Sequence, residues 1–205
     1  MEYIGKSIQK VDAVKKVTGE ALYPGDFTYP DQLHMKILFA RRPSARVVSI
    51  DTSRAEKLNG VVAVLTAKDV PVNIYGMIVK DQPVLCGPGS DVPFADRVRF
   101  VGDQVALVVA ETEQIASKAS ELIDVVYEDF PIVSSHLQAM DEGSFLVHPD
   151  KESNVFCHFR IRKGEVDKAF SDADVIIEGE YTTPVQEHAY LQPEAGVSFI
   201  DEAGR

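Results

Sequence analysis

Gly102-Asp-Gln-Val-Ala-Leu-Val-Val-Ala-Glu-Thr-Glu-Gln-Ile-Ala-Ser-Lys-Ala-Ser-Glu-Leu-Ile-Asp-Val-Val-Tyr-Glu-Asp-Phe-Pro131 reads as a strand, a helix and a second strand. The run Gln104 to Ala110 is continuously apolar after its first residue, which suits a strand covered on both faces. Thr112 can cap the helix behind it, and Glu111 and Glu113 suit the positive end of the helix dipole. Ile115, Ala116, Ala119, Leu122 and Ile123 recur at i, i+1, i+4, i+7 and i+8, one apolar stripe for burial, while Gln114, Ser117, Lys118, Glu121 and Asp124 take the other face. Val125 to Glu128 is the second strand, stopped by Pro131. If the two strands share a sheet, the crossover between them is right-handed.

Upstream, the same plan recurs in miniature. Ala45 to Ile50 is a strand, Thr52 or Ser53 caps a short helix through Leu58, and Asn59-Gly60 ends it before a strand over Val61 to Thr66. Leu33 to Ala40 is a further strand, with Arg42-Pro43-Ser44 as a tight connection into Ala45. Between Val70 and Arg99 the prolines 71, 83, 88 and 93 and the run Cys86-Gly87-Pro88-Gly89-Ser90-Asp91 predict a long surface excursion acting as a plain connector. Without a helix start directly behind it, this glycine-proline loop is no phosphate cradle.

Pro131 to Ser153 has little periodicity and suits a linker, or a segment draped across a neighbour. The expected organisation is therefore a first domain over 1–130, a linker over 131–153, and a second domain beginning at 154 and incomplete at 205. In that second part Val155 to Arg162 and Ala173 to Thr182 alternate as strands around a short helix over Glu165 to Phe170. Ala195 to Ile200 is strand-like and Asp201 to Arg205 has a turn composition, so a hairpin without its second strand is expected, with the natural chain continuing past Arg205.

The 205 residues are 45% hydrophobic and 26% charged, a globular balance with room for a sizeable core. Net charge is −11, from 32 acidic against 21 basic residues, and the densest basic clusters are Arg41-Arg42 and Arg160-Ile161-Arg162-Lys163. Phosphate binding needs a concentrated positive surface, so nucleic acid is not an expected partner, and the acidity is read as solubility. The longest apolar run, Val105 to Ala110, is far short of the roughly 20 residues that span a bilayer, and no apolar stretch follows Met1 to Lys6 as in a secretion signal. Cys86 and Cys157 are the two cysteines and lack CxxC spacing, which leaves no disulfide framework, zinc site or iron-sulfur site and fits a reducing, cytoplasmic setting.

The search for chemistry is short. His188, in Gln186-Glu187-His188-Ala189-Tyr190-Leu191 with Glu194 behind it, has the composition of a base or a ligand, yet no second ligand pair has matching spacing, and a structural histidine is the plainer reading. No GxSxG, GxGxxG or P-loop is present, which removes serine hydrolases and nucleotide-binding classes. Tyr23 and Asp26 read as a strand running into a turn, with Gly25 supplying unusual dihedrals and Asp26 bonding the backbone. Glu128 and Asp129 face opposite ways on a strand and are no carboxylate pair. No catalytic, cofactor-binding or metal residue is assigned, and Gln186, Glu187 and His188 have no assigned role.

Beyond this the chain resembles a family. Gly5-Lys6-Ser7 to Asp12, Lys16-Val17-Thr18-Gly19-Glu20-Ala21-Leu22-Tyr23 and Asp26 look like the start of the molybdenum-binding subunit of xanthine dehydrogenases and aldehyde oxidases. Leu58 to Pro71, Val101 to Thr112, and Val126-Tyr127-Glu128 with Pro131 resemble the strands and turns of that family's α/β hammerhead domain. Gly164, Ala169-Phe170, Ala173-Asp174, Glu178-Gly179 and Gln186 to Glu194 resemble the opening of its molybdopterin-binding domain, with Gln192 departing from the glutamate that relatives often carry. Five motifs stand in the family's order, and the wording from Gln186 to Leu191 favours the bacterial xanthine dehydrogenase members.

The resemblance implies an α+β fold: an α/β hammerhead domain, with a mixed sheet of βαβ units, followed by the truncated start of a molybdopterin-binding domain. It also implies an oxidoreductase that hydroxylates purines, aldehydes or N-heterocycles with water-derived oxygen. The cofactor implied is molybdopterin cytosine dinucleotide or a related molybdenum cofactor. The implied partners are the remainder of the molybdenum-binding subunit, FAD-binding and 2Fe-2S subunits or domains, and a small-molecule substrate. The family's pterin-contacting segment, the glutamine near the metal and the base glutamate lie downstream of the matched region, so this stretch is expected to be scaffold and inactive alone. The alternative is a free-standing hammerhead interaction or assembly module that carries no cofactor.

Overall fold

The computed structural model describes residues 3–190 and 194–204. Its elements run α1 (Ala13–Thr18), β1 (His34–Phe39), β2 (Ala45–Asp51), α2 (Ser53–Glu56), β3 (Val61–Thr66), β4 (Arg97–Val98), β5 (Gln104–Ala110), α3 (Glu113–Ser120), β6 (Asp124–Asp129), α4 (His136–Met140) and α5 (Val166–Ser171). The chain divides into two compact units, one over Asp31–Arg162 and one formed by the residues before and after it.

The larger unit is built on β5. It is the central strand of a three-stranded sheet ordered β1-β5-β3, antiparallel to both neighbours, with Ile37 and Leu65 both opposite Leu107. Val105, Ala106, Val108 and Ala110 are fully buried, as expected for an apolar run covered on both faces. Ala106, Val108 and Ala110 meet Ala116, Ala119 and Ile123 from α3 and its exit, together with Ala55 of α2. Val105 joins a second cluster with Val47, Cys86 and Val98. The small alanines on β5, α2 and α3 let helix and sheet approach closely, and the stripe read from the helical period is the face that packs. Thr112 caps α3 as expected, its hydroxyl oxygen accepting the Ile115 N–H at 3.2 Å.

A second three-stranded sheet, ordered β4-β2-β6, is also antiparallel. The α+β class and both strand-helix-strand units are present, but the expected mixed sheet is replaced by two antiparallel ones. The unit β2-α2-β3 passes from the second sheet to the first, and β5-α3-β6 passes back. Each strand has two edges to offer. Those of β5 are taken by β1 and β3 and those of β2 by β4 and β6, so neither unit closes on a parallel neighbour and the crossover handedness rule finds no crossover to govern.

Local details differ at three places. The helix after β2 stops at Glu56 and not at Leu58, and its first turn is closed by Asp51, whose carboxylate accepts the Ser53 N–H at 2.9 Å, with no capping bond from Thr52. The stretch from Val70 to Arg99 is not a surface excursion: Asn73, Leu85, Cys86 and Ala95 are buried, and the Cys86 N–H donates to the Gln104 carbonyl of β5 at 2.6 Å. Residues 131–162 belong to the same compact unit as the strands.

In the smaller unit α1, which the sequence reading did not anticipate, ends at Gly19 in the left-handed conformation, φ 78°. Helix α5 lies one residue from its expected position. The strands expected over Ala173 to Thr182 and Ala195 to Ile200 in this unit, and over Val155 to Arg162 at the end of the larger one, are not formed; alternation supplies one half of a ladder, and among the described residues no neighbouring strand supplies the other. Asp26 bonds the backbone as expected, accepting the Tyr23 N–H at 2.8 Å, in a 3-10 turn where Gly25 needs no positive φ.

Candidate functional site

A cavity of about 860 Å³ in the larger unit lies between the loop carrying Val79 and Asp81 and the stretch from Val133 to Phe156. Its volume is in the range of small-molecule sites. Val147, Val155 and Phe156 supply apolar wall, and Asp81, His136, His148, Lys151 and Asn154 supply polar groups. Asp81, His148 and Lys151 also line a neighbouring cavity of about 190 Å³, whose far side is formed by Pro83, Phe94 and Arg99.

Electrostatics around His148 follow from burial. Burial, then the positive charge of Arg99, hold its imidazole below the ordinary range, against the pull of Asp81 and Asp150, so it is neutral at neutral pH. Burial pushes Asp103 up, although its carboxylate accepts the N–H groups of Arg99 at 2.6 Å and Phe100 at 3.3 Å. Of the three serines on the wall, Ser135 accepts the Leu137 N–H and Ser153 the Val155 N–H, so these two hydroxyls serve turns, and Ser134 donates its backbone N–H to Gln138 Oε1 at 3.3 Å. The cavity therefore offers a neutral imidazole among mixed charges, beside apolar wall, an arrangement suited to binding a small molecule.

The residues singled out by sequence are elsewhere. His188 is exposed, its backbone N–H donating to the Glu187 carboxylate at 2.9 Å, and its ring stands 3.8 Å from the same group. Tyr190 donates to Glu194, and that hydrogen bond, then the carboxylate's charge, push the phenol up, while Leu191, Gln192 and Pro193 lie outside the described residues. Gln186 is exposed and joins no cluster of ligating groups among the described residues. Glu128 and Asp129 pair separately with Arg46 and Arg42. Cys86 is buried and pushed up to about 12, chiefly by desolvation, whereas Cys157 is exposed.

Sequence reasoning missed Asp81, Arg99, Asp103 and His148 as a neighbourhood. They come from three irregular stretches, and the sole hint was a histidine in the segment taken as a linker.

Among the described residues no trio of His, Cys, Asp and Glu is placed to hold a metal. The buried side-chain donors without a hydrogen-bond partner among the described residues, Arg97 Nε and Arg99 Nε, both lie in the larger unit. The described residues from 163 to 190 are exposed throughout. No helix among the described residues is long and apolar enough to cross a membrane.

Residues 18–131 match the family described as aldehyde oxidase and xanthine dehydrogenase, a/b hammerhead domain, and residues 147–205 match the molybdopterin cofactor-binding domain. A probable xanthine dehydrogenase polypeptide of Bacillus subtilis (strain 168) is 40% identical over 194 residues, covering 94% of this chain and 25% of that protein. The "Nicotinate dehydrogenase large molybdopterin subunit" of Eubacterium barkeri is 34% identical over 204 residues, covering 99% of this chain and 46% of that protein. Among solved structures, the aldehyde oxidoreductase from Desulfovibrio gigas superposes with a TM-score of 0.65 at 33% identity, covering 80% of this chain and 19% of that one. The chain thus spans less than half the length of these relatives. The resemblance carried by the five motifs is borne out, and with more than half of its length matched to the hammerhead domain, the chain belongs to the aldehyde oxidase and xanthine dehydrogenase family.

Proposed function

We propose that this chain is the amino-terminal scaffold of the molybdenum-binding subunit of a xanthine dehydrogenase-like hydroxylase, which inserts water-derived oxygen into a purine, aldehyde or N-heterocycle. The observation that carries the reading is the order of the two family matches on one chain, the hammerhead domain over 18–131 and the molybdopterin cofactor-binding domain over 147–205.

In this reading the pterin, in its cytosine dinucleotide form or a related one, and the reacting groups are held by parts of the subunit beyond this stretch. Electrons pass to FAD and 2Fe-2S partners, in a cytoplasmic enzyme. The test uses the full-length protein: metal analysis for molybdenum, oxidative release of the fluorescent pterin, and xanthine turnover in 18O-labelled water. Molybdenum, pterin and label in the product are expected, with no turnover by the 205-residue chain alone. A full-length protein that purifies without molybdenum and pterin would favour a cofactor-free hammerhead module and overturn the proposal.

A further inference from the structure

Composition assigns residues 131–153 to a connector, yet one side chain grips them. The Arg97 guanidinium lies over the rings of both Phe130 and Phe145, with Cζ 4.3 Å and 4.5 Å from their centroids. The rings are themselves 5.7 Å apart and tilted by 44°. The terminal nitrogen Nη2 donates to the Leu146 carbonyl at 3.0 Å, and Nε is buried without a hydrogen-bond partner. A guanidinium is planar and weakly hydrated, so it rests against aromatic rings while its edge still donates. Lysine has neither the faces nor the fork.

The stretch beyond Phe145 closes on itself through Asn154. Its Oδ1 accepts the Val147 N–H at 2.9 Å, and its Nδ2 donates to the carbonyls of Phe145 at 3.0 Å and Ala139 at 3.2 Å. Ser135 caps the short α4 before it. These bonds give the stretch its own order without pairing it to either sheet. The same stretch, from Val133 to Phe156, forms one wall of the large cavity, and the loop with Val79 and Asp81 forms the other.

We propose that residues 131–156 are a strap of the hammerhead unit, latched by Arg97, which opens and closes the cavity beneath it while the two sheets stay folded. A segment that rests on one clasp and on its own internal bonds opens locally more readily than strands bonded on both edges.

Hydrogen exchange on the full chain tests it. In the wild type the amides of Ala139, Asp141, Ser144 and Val147, each bonded within the strap, are expected to be protected above the unstructured rate and below those of β5. Arg97→Ala is expected to speed their exchange about tenfold or more while the β5 amides are unchanged. Arg97→Lys is expected not to restore protection. Because Arg97 sits in a strand of the core cluster, Phe145→Leu, on the strap itself, is the second variant and is expected to act in the same direction. Wild-type strap amides exchanging at the unstructured rate would return the segment to a connector. Unchanged strap protection in both variants, or equal loss in strap and β5, would overturn the latch.

Discussion

The side chain of Asn73 holds the backbone of Leu85 as a neighbouring strand would. Its Nδ2 donates to the Leu85 carbonyl at 2.9 Å and its Oδ1 accepts the Leu85 N–H at 2.8 Å, with a further bond from Nδ2 to Ser90 at 3.1 Å. Asn73 is 2% exposed and Leu85 3%, so both backbone groups would otherwise be buried without partners. This is why a proline-rich stretch with a single isolated bridge, Tyr75 to Gln82, still packs as part of the core.

Asn73→Ala is therefore expected to cost about 2–4 kcal/mol, the penalty for two orphaned buried backbone groups. Asn73→Asp is not expected to rescue it, because a carboxylate presents no donor to the Leu85 carbonyl. Urea denaturation of the chain followed by circular dichroism measures both. A loss below about 1 kcal/mol would mean that water replaces the amide there.

Gly60 joins α2 to β3 at φ 87°, and a Cβ built there would lie 2.7 Å from Ile115 Cδ1 of α3 and 3.2 Å from Glu111 Oε2. Gly143 has a similar φ of 77° and open space around it. Gly143→Ala is expected to cost about 1–2 kcal/mol for the left-handed backbone alone, and Gly60→Ala more, by whatever Ile115 must give. Equal losses in parallel melts would show that the α2–β3 turn shifts freely against α3.

Cys86 and Cys157 separate cleanly in reactivity, because the thiolate is the reacting form. With its thiol pushed to about 12 and 1% of its surface exposed, Cys86 is expected to stay unmodified by iodoacetamide at pH 8 in the native chain. Cys157, exposed, reacts, and both react after denaturation. Peptide mass mapping reads the outcome, and native labelling of Cys86 would mean that the stretch around it opens.

His148 sets a pH dependence whose sign follows from its lowered pKa. The unfolded chain takes up the proton first as pH falls through its ordinary value of 6.5, so stability is present above that pH and is lost below it, until the folded group also protonates. Asp103 acts in the opposite sense at lower pH, because its raised pKa lets the folded state bind a proton more readily than the unfolded one, and stability is regained there. His148→Gln is expected to flatten the denaturation midpoint between about pH 7 and pH 5 relative to the wild type. A variant curve parallel to the wild type over that range would assign the dependence to other groups.

Much of the fold was legible because periodicity is a local property. The apolar run from Gln104 to Ala110, the stripe from Ile115 to Ile123 and the Thr112 cap are each determined within a dozen residues, and each appears where the chain's own pattern placed it. The family was legible for a similar reason, since its motifs are short strings in a fixed order. Strand pairing was not, because an alternating segment such as Ala173 to Thr182 carries the pattern of a strand but not the partner that makes one. The cavity was hidden because Asp81, Arg99 and His148 come from stretches without period, brought together by Asn73 and Arg97. Sequence by itself determined the strand β5, the helix α3 that packs on it and the family its motifs spell. Tertiary structure alone decided how the strands divide into two antiparallel sheets and how a stretch read as a connector is clasped to them, because edge pairing and the burial of one guanidinium depend on residues far apart in the chain.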